Sequence, residues 1–264
     1  YNSQKPLNSF TSSRHPGGND MKKFAIVAAS IGAFAFAAPA SALTLLTEEN
    51  APLNYTENGK VTGFSTEVLE EMGRRAKIPL TVEMLAWKAG YERAQSAKDT
   101  CLYSTARLEN RERVFKWVGP IAFTRWGVYG KEGFTAPVKA VSDLKPFRIG
   151  GVVYDAKTEF LKQSGVTNIV EAKEDRLNPP KLTLDRKEVE RIDLWITTMA
   201  HAKKVAEQAG VKDVKLVLEV RKADSFLACS PSTPSATLKA LDDALQSMKK
   251  DKSWDRIAAK YDAR

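Results

Sequence analysis

The sequence predicts an α/β protein of two lobes, each a mainly parallel sheet flanked by helices, with two strands joining the lobes. Strand-like and helix-like segments alternate from residue 43 onward, and this alternation starts again near residue 147. Such alternation is typical of parallel sheets, because a helix is the usual connection between parallel strands. The aromatic-rich stretch 121–130 and the segment 219–229 are the predicted crossings between the lobes.

The first unit alternates three strands with two helices. Apolar residues from Val68 to Ala76 recur at the spacing of one helix face, and Ser65 or Thr66 is the expected N-cap of that helix. The predicted elements, in chain order, are a strand at 43–47, a helix at 63–76, a strand at 80–86, a helix at 88–98 and a strand at 101–105.

The second unit repeats this order and is followed by two closing helices. Asp155 is expected to cap its first helix and Gly165 to end it, whereas Thr233 is the expected cap of the long helix near the end of the chain. The predicted elements are strands at 147–153, 167–172, 191–196, 214–220 and 226–230, and helices at 155–165, after Pro180, at 199–210, at 233–250 and at 254–261.

The amino-terminal residues read as a leader. Residues 21–42 combine a charged start at Met21 with an apolar, alanine-rich run and a small-residue ending at Ala42, which is the pattern of a cleaved secretory signal. Residues 1–20 are expected to be an upstream extension, not native or not structured. We expect cleavage after Ala42, export to the periplasm and no lipid anchor, since no cysteine follows the cleavage site.

Charge argues against a nucleic-acid partner. The net charge of the whole chain is +9, and it stays positive without the leader, which carries four basic residues and one acidic residue. A modest positive charge on an exported protein favours anionic ligands or surfaces. An exported protein seldom meets nucleic acid, so we expect a small-molecule ligand. We also expect the protein to be a monomer.

The sequence offers little for catalysis or cofactor binding. Its two histidines are His15, in the leader, and His201, which is expected to be a surface residue on a helix. No zinc spacing, calcium loop, dinucleotide fingerprint or P-loop is present. We therefore expect no metal and no cofactor. Cys101 and Cys229 can pair in an oxidising compartment, but their separation in space is not given by the sequence.

Five segments together resemble a known family. They are 49–72, "STARLENRERVFKWVGP" at 104–120, "FRIGGVVYDAKTEF" at 147–160, "ERIDLWITT" at 190–198 and the closing stretch 233–261. Their order after a signal peptide resembles that of the family 3 bacterial solute-binding proteins, periplasmic receptors for polar amino acids that feed ABC transporters. The resemblance implies two α/β lobes, 43–125 with 223–264 and 126–222, which close on a ligand as in the type II periplasmic-binding-protein fold.

The resemblance also implies ligand-binding residues in the first lobe. Arg111 occupies the position of an arginine that grips the ligand carboxylate, a role suited to the two parallel N–H donors of a guanidinium. Ser104 and Thr105 match small hydroxyl positions that help to hold the ligand. Arg107 is an additional arginine beside the family pattern, and it is either a second cation facing the cleft or a surface side chain.

Two further first-lobe positions have alternative interpretations. Trp87 aligns with an apolar or aromatic wall over the ligand, but it is also readily explained as a core tryptophan. Glu48 falls near an acidic position that reaches the ligand amine, and a plain turn carboxylate explains it equally well.

The second lobe departs from the family pattern. Thr198 stands where the family has the aspartate that neutralises the ligand ammonium, and Tyr154-Asp155-Ala156 replaces a Gly-Thr-Thr stretch. Backbone N–H groups remain available at this helix start, around Asp155 and Ala156. The expected ligand is therefore either a carboxylate without the usual amine or an amino acid whose ammonium meets Glu48 or Asp155.

These expectations give two alternative functions. The first is a periplasmic receptor that captures a small polar carboxylate and delivers it to the permease of an ABC transporter. The second is a dehydratase-like enzyme on the same fold, for which Glu48, Asp155 and Glu67 are the only acid–base candidates. We expect the receptor, with no catalytic residues.

Overall fold

The computed structural model describes residues 42–185 and 187–261, so the predicted extension 1–20 and all of the predicted signal peptide except Ala42 lie outside the described residues. The strands are β1 (Leu43–Thr47), β2 (Tyr55–Glu57), β3 (Lys60–Thr62), β4 (Leu80–Met84), β5 (Thr100–Ala106), β6 (Lys116–Lys131), β7 (Ile149–Val152), β8 (Ile169–Ala172), β9 (Leu194–Thr198) and β10 (Val214–Cys229). The helices are α1 (Phe64–Ala76), α2 (Trp87–Ser96), α3 (Ala156–Gln163), α4 (Ala202–Gln208), α5 (Ser235–Lys250) and α6 (Ser253–Lys260).

Eight strands form one sheet in the order β4-β1-β5-β10-β6-β9-β7-β8. The first half of the molecule comprises β1–β5 with α1, α2, α5 and α6, and the second half comprises β7–β9 with α3 and α4. Within each half the sheet strands pair in parallel. β6 and β10 pair with each other antiparallel in the middle of the sheet. At 16 residues each, they extend for about 50 Å and reach both halves.

The first half has its own apolar core on one face of the sheet. Helices α1, α5 and α6 bury residues such as Phe64, Met72 and Leu245 against the strands. Trp254 of α6 packs edge-on against Phe64, with ring centroids 5.2 Å apart, and donates a hydrogen bond of 2.8 Å to the carbonyl of Ile121 on β6. The carboxy-terminal helices therefore belong to the first half, although they follow the second half in sequence.

The predicted cysteine pair lies between two neighbouring strands. Cys101 on β5 is opposite Cys229 on β10, and their sulfur atoms form a disulfide bond. This bond ties the end of β10 to the first half. The hairpin β2–β3 was not among the predicted elements. Asn58 and Gly59 supply the two left-handed residues that its tight connection needs.

Several predicted boundaries were wrong. The strands expected at 214–220 and 226–230 are one strand. Its continuity was missed because three register shifts in its pairing with β6, and one in its pairing with β5, interrupt the alternation that a regular strand would show. Helix α1 has Gly63 as its N-cap, and Ser65 and Thr66 lie buried in its first turn. Helix α5 begins after Pro234 instead of Thr233. The segment after Pro180 forms a short 3₁₀ turn, not an α-helix.

Candidate functional site

A small chamber lies where the two halves meet. Its volume is about 20 Å³. It forms at the end of β5 and at the amino terminus of α3, and the middle strands β6 and β10 line its floor. The residues around it are Glu48, Asn50, Trp87, Ser104, Ala106, Arg111, Thr124, Trp126, Asp155, Ala156, Lys157, Thr198 and Ser225.

Arg111 is the most deeply buried charged side chain of this chamber, with 1% of its surface exposed. Its Nη1 donates to the carbonyl of Ala106 at 3.1 Å and its Nη2 to the carbonyl of Tyr154 at 2.6 Å. The rings of Trp87 and Tyr91 flank the guanidinium, at 5.8 and 5.2 Å. Burial lowers the pKa of Arg111. Among the described residues, no carboxylate forms an ion pair with it.

Trp87 links the two halves beside Arg111. It begins α2, its side chain is almost fully buried, and its Nε1 donates to the carbonyl of Tyr154 at 3.0 Å. The two alternatives for this residue are therefore not exclusive, because Trp87 packs in an apolar cluster and also forms part of the chamber wall.

The two predicted hydroxyl residues point in different directions. Ser104 lines the chamber and donates a hydrogen bond of 3.0 Å to the hydroxyl of Ser65. Thr105 is fully buried away from the chamber, and its hydroxyl donates to the carbonyl of Leu102 at 3.1 Å. Successive strand residues face opposite sides of a sheet, so neighbours on β5 cannot both line the chamber. The structure therefore corrects the expectation for Thr105.

Arg107 does not line the chamber either. Its guanidinium donates two hydrogen bonds, of 2.6 and 2.8 Å, to Glu112, and it stacks near the rings of Trp117 and Phe226. It borders a separate cavity of about 250 Å³, together with Arg221. Of its two interpretations, the structure favours the surface side chain.

Asp155 and Lys157 bring a buried charge pair to the chamber. Asp155 caps α3 as predicted, accepting a hydrogen bond of 2.7 Å from the backbone N–H of Lys157. Its other carboxylate oxygen lies 2.8 Å from the ammonium of the same lysine. Lys157 was not recognised from the sequence, although its position two residues after a predicted cap would have placed it in the first turn of α3.

Glu48 follows β1 and is half-buried. Burial raises the pKa of Glu48 to about 8, and the nearby carboxylate of Asp155 adds to that effect. Its side chain makes no ion pair with any residue that the structure describes. Glu48 borders both the chamber and a larger outer cleft.

Part of the chamber wall carries hydroxyl groups. Thr198 lies at the end of β9 with 2% of its surface exposed, and Thr124 and Ser225 come from β6 and β10. Thr198 was expected from the family position, whereas Thr124 and Ser225 were missed because the middle strands read as crossings only. Ala156 completes this wall at the start of α3.

The outer cleft has a volume of about 520 Å³, a size typical of small-molecule sites. Acidic, basic and apolar side chains share its lining: Glu48, Glu49, Ala51, Tyr55, Thr56, Met84, Leu85, Ala86, Glu174, Asp175, Arg176, His201, Lys204, Val205 and Gln208. The cleft lies between the two halves and shares Glu48 with the chamber.

His201 is not the surface residue that was expected. It is 5% exposed, and its Nε2 lies 2.9 Å from Asp175 and 3.0 Å from the hydroxyl of Thr197. The helix it was assigned to begins one residue later, at Ala202, so His201 turns inward at the N-cap. Its partner Asp175 is 26 residues away in sequence, and no local pattern indicates such a contact.

Neither a metal site nor a membrane helix is found in residues 42–185 and 187–261. No group of three or more His, Cys, Asp or Glu side chains is placed to hold a metal ion there. In that same part of the chain, no helix has both the length and the apolar character needed to cross a membrane.

Comparison with known proteins gives consistent matches. A family model described as bacterial extracellular solute-binding proteins, family 3, matches residues 43–263. The chain is 23% identical over 220 residues to the probable amino-acid-binding protein YxeM of Bacillus subtilis (strain 168), covering 81% of each chain. Both descriptions are of binding proteins.

Solved structures show the same architecture. A histidine kinase sensor domain, described as similar to periplasmic binding proteins, matches with a TM-score of 0.75 at 14% identity, over 84% of this chain and 96% of its own. An ancestral arginine-binding protein bound to arginine matches with a TM-score of 0.71 at 19% identity, over 85% and 99%. These likenesses confirm the predicted fold class, a two-lobed type II periplasmic-binding-protein fold.

Proposed function

Because this chain belongs to the family 3 bacterial extracellular solute-binding proteins, we propose that it is a periplasmic receptor that captures a small polar carboxylate between two lobes and delivers it to the permease of an ABC transporter. The family and the curated relative are binding proteins. The chain is accordingly a binding protein and not an enzyme, so the dehydratase-like alternative is not retained.

The observation that carries the proposal is Arg111. A guanidinium is expensive to bury, and its charge has no carboxylate partner among the described residues. A ligand carboxylate would supply that missing charge and accept two parallel N–H bonds in a site shielded from water. Arg111 is therefore the proposed carboxylate-binding residue, with Ser104 and Trp87 beside it.

The remaining lining fits a second polar group on the ligand. Glu48 can accept a hydrogen bond or pair with an ammonium, whereas Thr198, Thr124 and Ser225 offer neutral hydroxyls. An amino acid or a related organic acid would satisfy this set. Asp155 already has a cation, Lys157, so Glu48 is the carboxylate more available to a ligand ammonium.

The proposed lobes are 43–125 with 223–264, and 126–222. Each half packs separate apolar clusters, and the sheet passes between them through β6 and β10. Bending of these two strands would open the cleft, and ligand contacts from both lobes would favour the closed form. The structural likeness to two-lobed binding proteins supports this movement.

The proposal includes the location and the partners. The protein is exported to the periplasm, with a signal peptide at 21–42 cleaved after Ala42 and no lipid anchor, and it works as a monomer with an inner-membrane permease. A family of extracellular proteins supports export.

A thermal-shift screen of the purified protein tests the proposal. The compounds are amino acids, 2-oxo acids and dicarboxylates. A ligand at a hundred times its dissociation constant stabilises the native state by about 2.7 kcal/mol, which raises the melting temperature by roughly 5–10 °C for a chain of this size. The ligand must be recovered unchanged; conversion into a product would contradict a receptor.

Arg111→Met provides the residue-level test, with Arg113→Met as its matched control. Arg113 is an exposed arginine two positions further on, so its loss removes the same charge from outside the chamber. We expect Arg111→Met to abolish the shift with an unchanged circular dichroism spectrum, and Arg113→Met to retain it. Equal shifts in the two variants would remove Arg111 from the proposed site.

A further inference from the structure

The carbonyl of Tyr154 accepts a hydrogen bond from Arg111, the proposed carboxylate-binding residue. Two first-half side chains converge on this one oxygen: Arg111 Nη2 at 2.6 Å and Trp87 Nε1 at 3.0 Å. Tyr154 itself lies in the second half, between β7 and α3. The three residues therefore bridge the two halves through one backbone oxygen that carries partial negative charge, as a carboxylate oxygen would.

The backbone of Tyr154 is held in a conformation that few residues adopt. Its φ is 61°, in the left-handed region that glycine and asparagine tolerate best. The ring of Tyr154 packs against Tyr91 at 5.8 Å, and the ammonium of Lys88 lies 5.4 Å from the ring centre. Contacts with two first-half side chains, Tyr91 and Lys88, in addition to Trp87 thus hold the peptide so that its oxygen faces Arg111.

The space left in the chamber is too small for a ligand while the two halves are held in this arrangement. About 20 Å³ admits one water molecule, which needs roughly 10–15 Å³, and a carboxylate with its attached carbon is several times larger. The outer cleft is spacious, but Arg111 does not border it. A carboxylate can therefore reach Arg111 only if the two halves, which the Tyr154 carbonyl joins at Arg111 and Trp87, move apart.

We infer that the Tyr154 carbonyl is a built-in competitor of the ligand carboxylate: it latches the two halves together through Arg111 and Trp87 in the ligand-free protein, and it is exchanged for the carboxylate on binding. The exchange rests on the proposed function, whereas the latch concerns the ligand-free protein alone. No covalent bond changes.

The latch sets the affinity as well as the shape of the free protein. A ligand can bind only to those molecules in which Arg111 is accessible. Its apparent dissociation constant is therefore the intrinsic dissociation constant divided by the fraction of such molecules. Weakening the latch should tighten ligand binding, although no ligand contact has been added.

Two variants of Tyr154 separate the backbone oxygen from the aromatic ring. Tyr154→Asn and Tyr154→Val both remove the ring, and the two new side chains are similar in size. Asparagine tolerates the left-handed conformation and keeps the oxygen on Arg111, whereas β-branched valine disfavours it and turns the oxygen away. Any difference between the two variants therefore reports on the latch.

The first measurement needs no ligand. Spin labels on Glu57→Cys and Gln208→Cys, two exposed positions on opposite halves beside the cleft, report their separation in each variant. We expect a longer, broader distance distribution for Tyr154→Val than for Tyr154→Asn, with Arg111→Met as a positive control for opening. Identical distributions in the Val and Asn variants would overturn the latch.

The second measurement uses acetate as a small carboxylate probe. Acetate replaces chloride at constant ionic strength, and binding is followed by the melting temperature. We expect acetate to bind about tenfold more tightly to Tyr154→Val than to Tyr154→Asn. If the Val variant is open but binds acetate no more tightly, the carbonyl is not a competitor and the exchange is refuted. The ligand screen tests the proposed function separately, so a failed exchange and a failed proposed function can be told apart.

Discussion

Asp155 and Lys157 form a closed unit at the first turn of α3: one oxygen of the aspartate caps the helix while the other lies 2.8 Å from the ammonium of the lysine. Both side chains are largely buried, with 7% and 12% of their surface exposed. The chamber therefore contains a cation that is already neutralised, Lys157, and a cation without an anionic partner among the described residues, Arg111.

Asp155→Asn should destabilise the fold strongly. Asparagine still caps a helix, so this substitution mainly removes the partner of a buried ammonium, and breaking a buried pair costs about 3–5 kcal/mol. Urea unfolding measures the loss. Asp243→Asn, which breaks the exposed Lys239–Asp243 pair, is the control and should cost under about 1 kcal/mol. Similar losses in both variants would mean that Lys157 is not effectively buried.

Glu48 should make the protein less stable as the pH rises. A carboxyl whose pKa is about 8 in the folded protein and 4.5 when unfolded binds more protons when folded. The free energy of unfolding therefore falls between pH 4.5 and pH 8. We expect Glu48→Gln to remove about 2 kcal/mol of this fall, less than the full shift implies, because Glu48 is partly exposed.

The measurement for Glu48 is urea unfolding at pH 5, 7 and 8.5. The matched control is Glu49→Gln, on the exposed neighbouring side chain. If Glu48→Gln and the wild-type protein lose stability in parallel over this range, Glu48 does not carry the pH dependence.

Reduction of the Cys101–Cys229 bond should lower the free energy of unfolding by about 2–5 kcal/mol. The two cysteines are 128 residues apart, and opening so long a loop increases the entropy of the unfolded chain. Unfolding with and without dithiothreitol measures the change. The Cys101→Ala, Cys229→Ala double variant should show similar stability in both conditions, and a loss of its own on adding the reductant would point to another cause.

Gly63→Ala should destabilise the start of α1. Gly63 has a φ of 117°, and a Cβ there would lie 2.5 Å from the carbonyl oxygen of Leu53. The conformation alone costs about 1–3 kcal/mol for a residue with a side chain, and the close contact adds to it. Gly133→Ala is the control, since nothing lies within 4 Å of its Cβ position. Thermal unfolding compares the two, and equal melting temperatures would contradict the prediction.

Local patterns predicted most elements of the fold. The cap at Asp155 and the strand around Ile149 depend on neighbouring residues, so the sequence was sufficient for them. The continuity of β10 was missed because its bulges break the alternation that identifies a strand.

The candidate site was less predictable, because its contacts join distant segments. The register of β5 decides that Ser104 and not Thr105 faces the chamber. The partner of His201 is Asp175, and the oxygen bound by Arg111 is 43 residues away in sequence, on Tyr154. Pairings of this kind are set by tertiary packing, and they appear only when the two halves are assembled.

The disulfide limits where the middle strands can bend. Cys229 is the last residue of β10 and is bonded to β5, so this end of the strand is anchored. In the pairing of β10 with β6, three irregular steps precede the anchor, between Leu216 and Leu227. Because β10 is fixed at one end and its irregular pairing with β6 precedes that end, we expect any relative rotation of the halves to have its axis between Leu216 and Leu227 and to leave the neighbourhood of Cys229 in place.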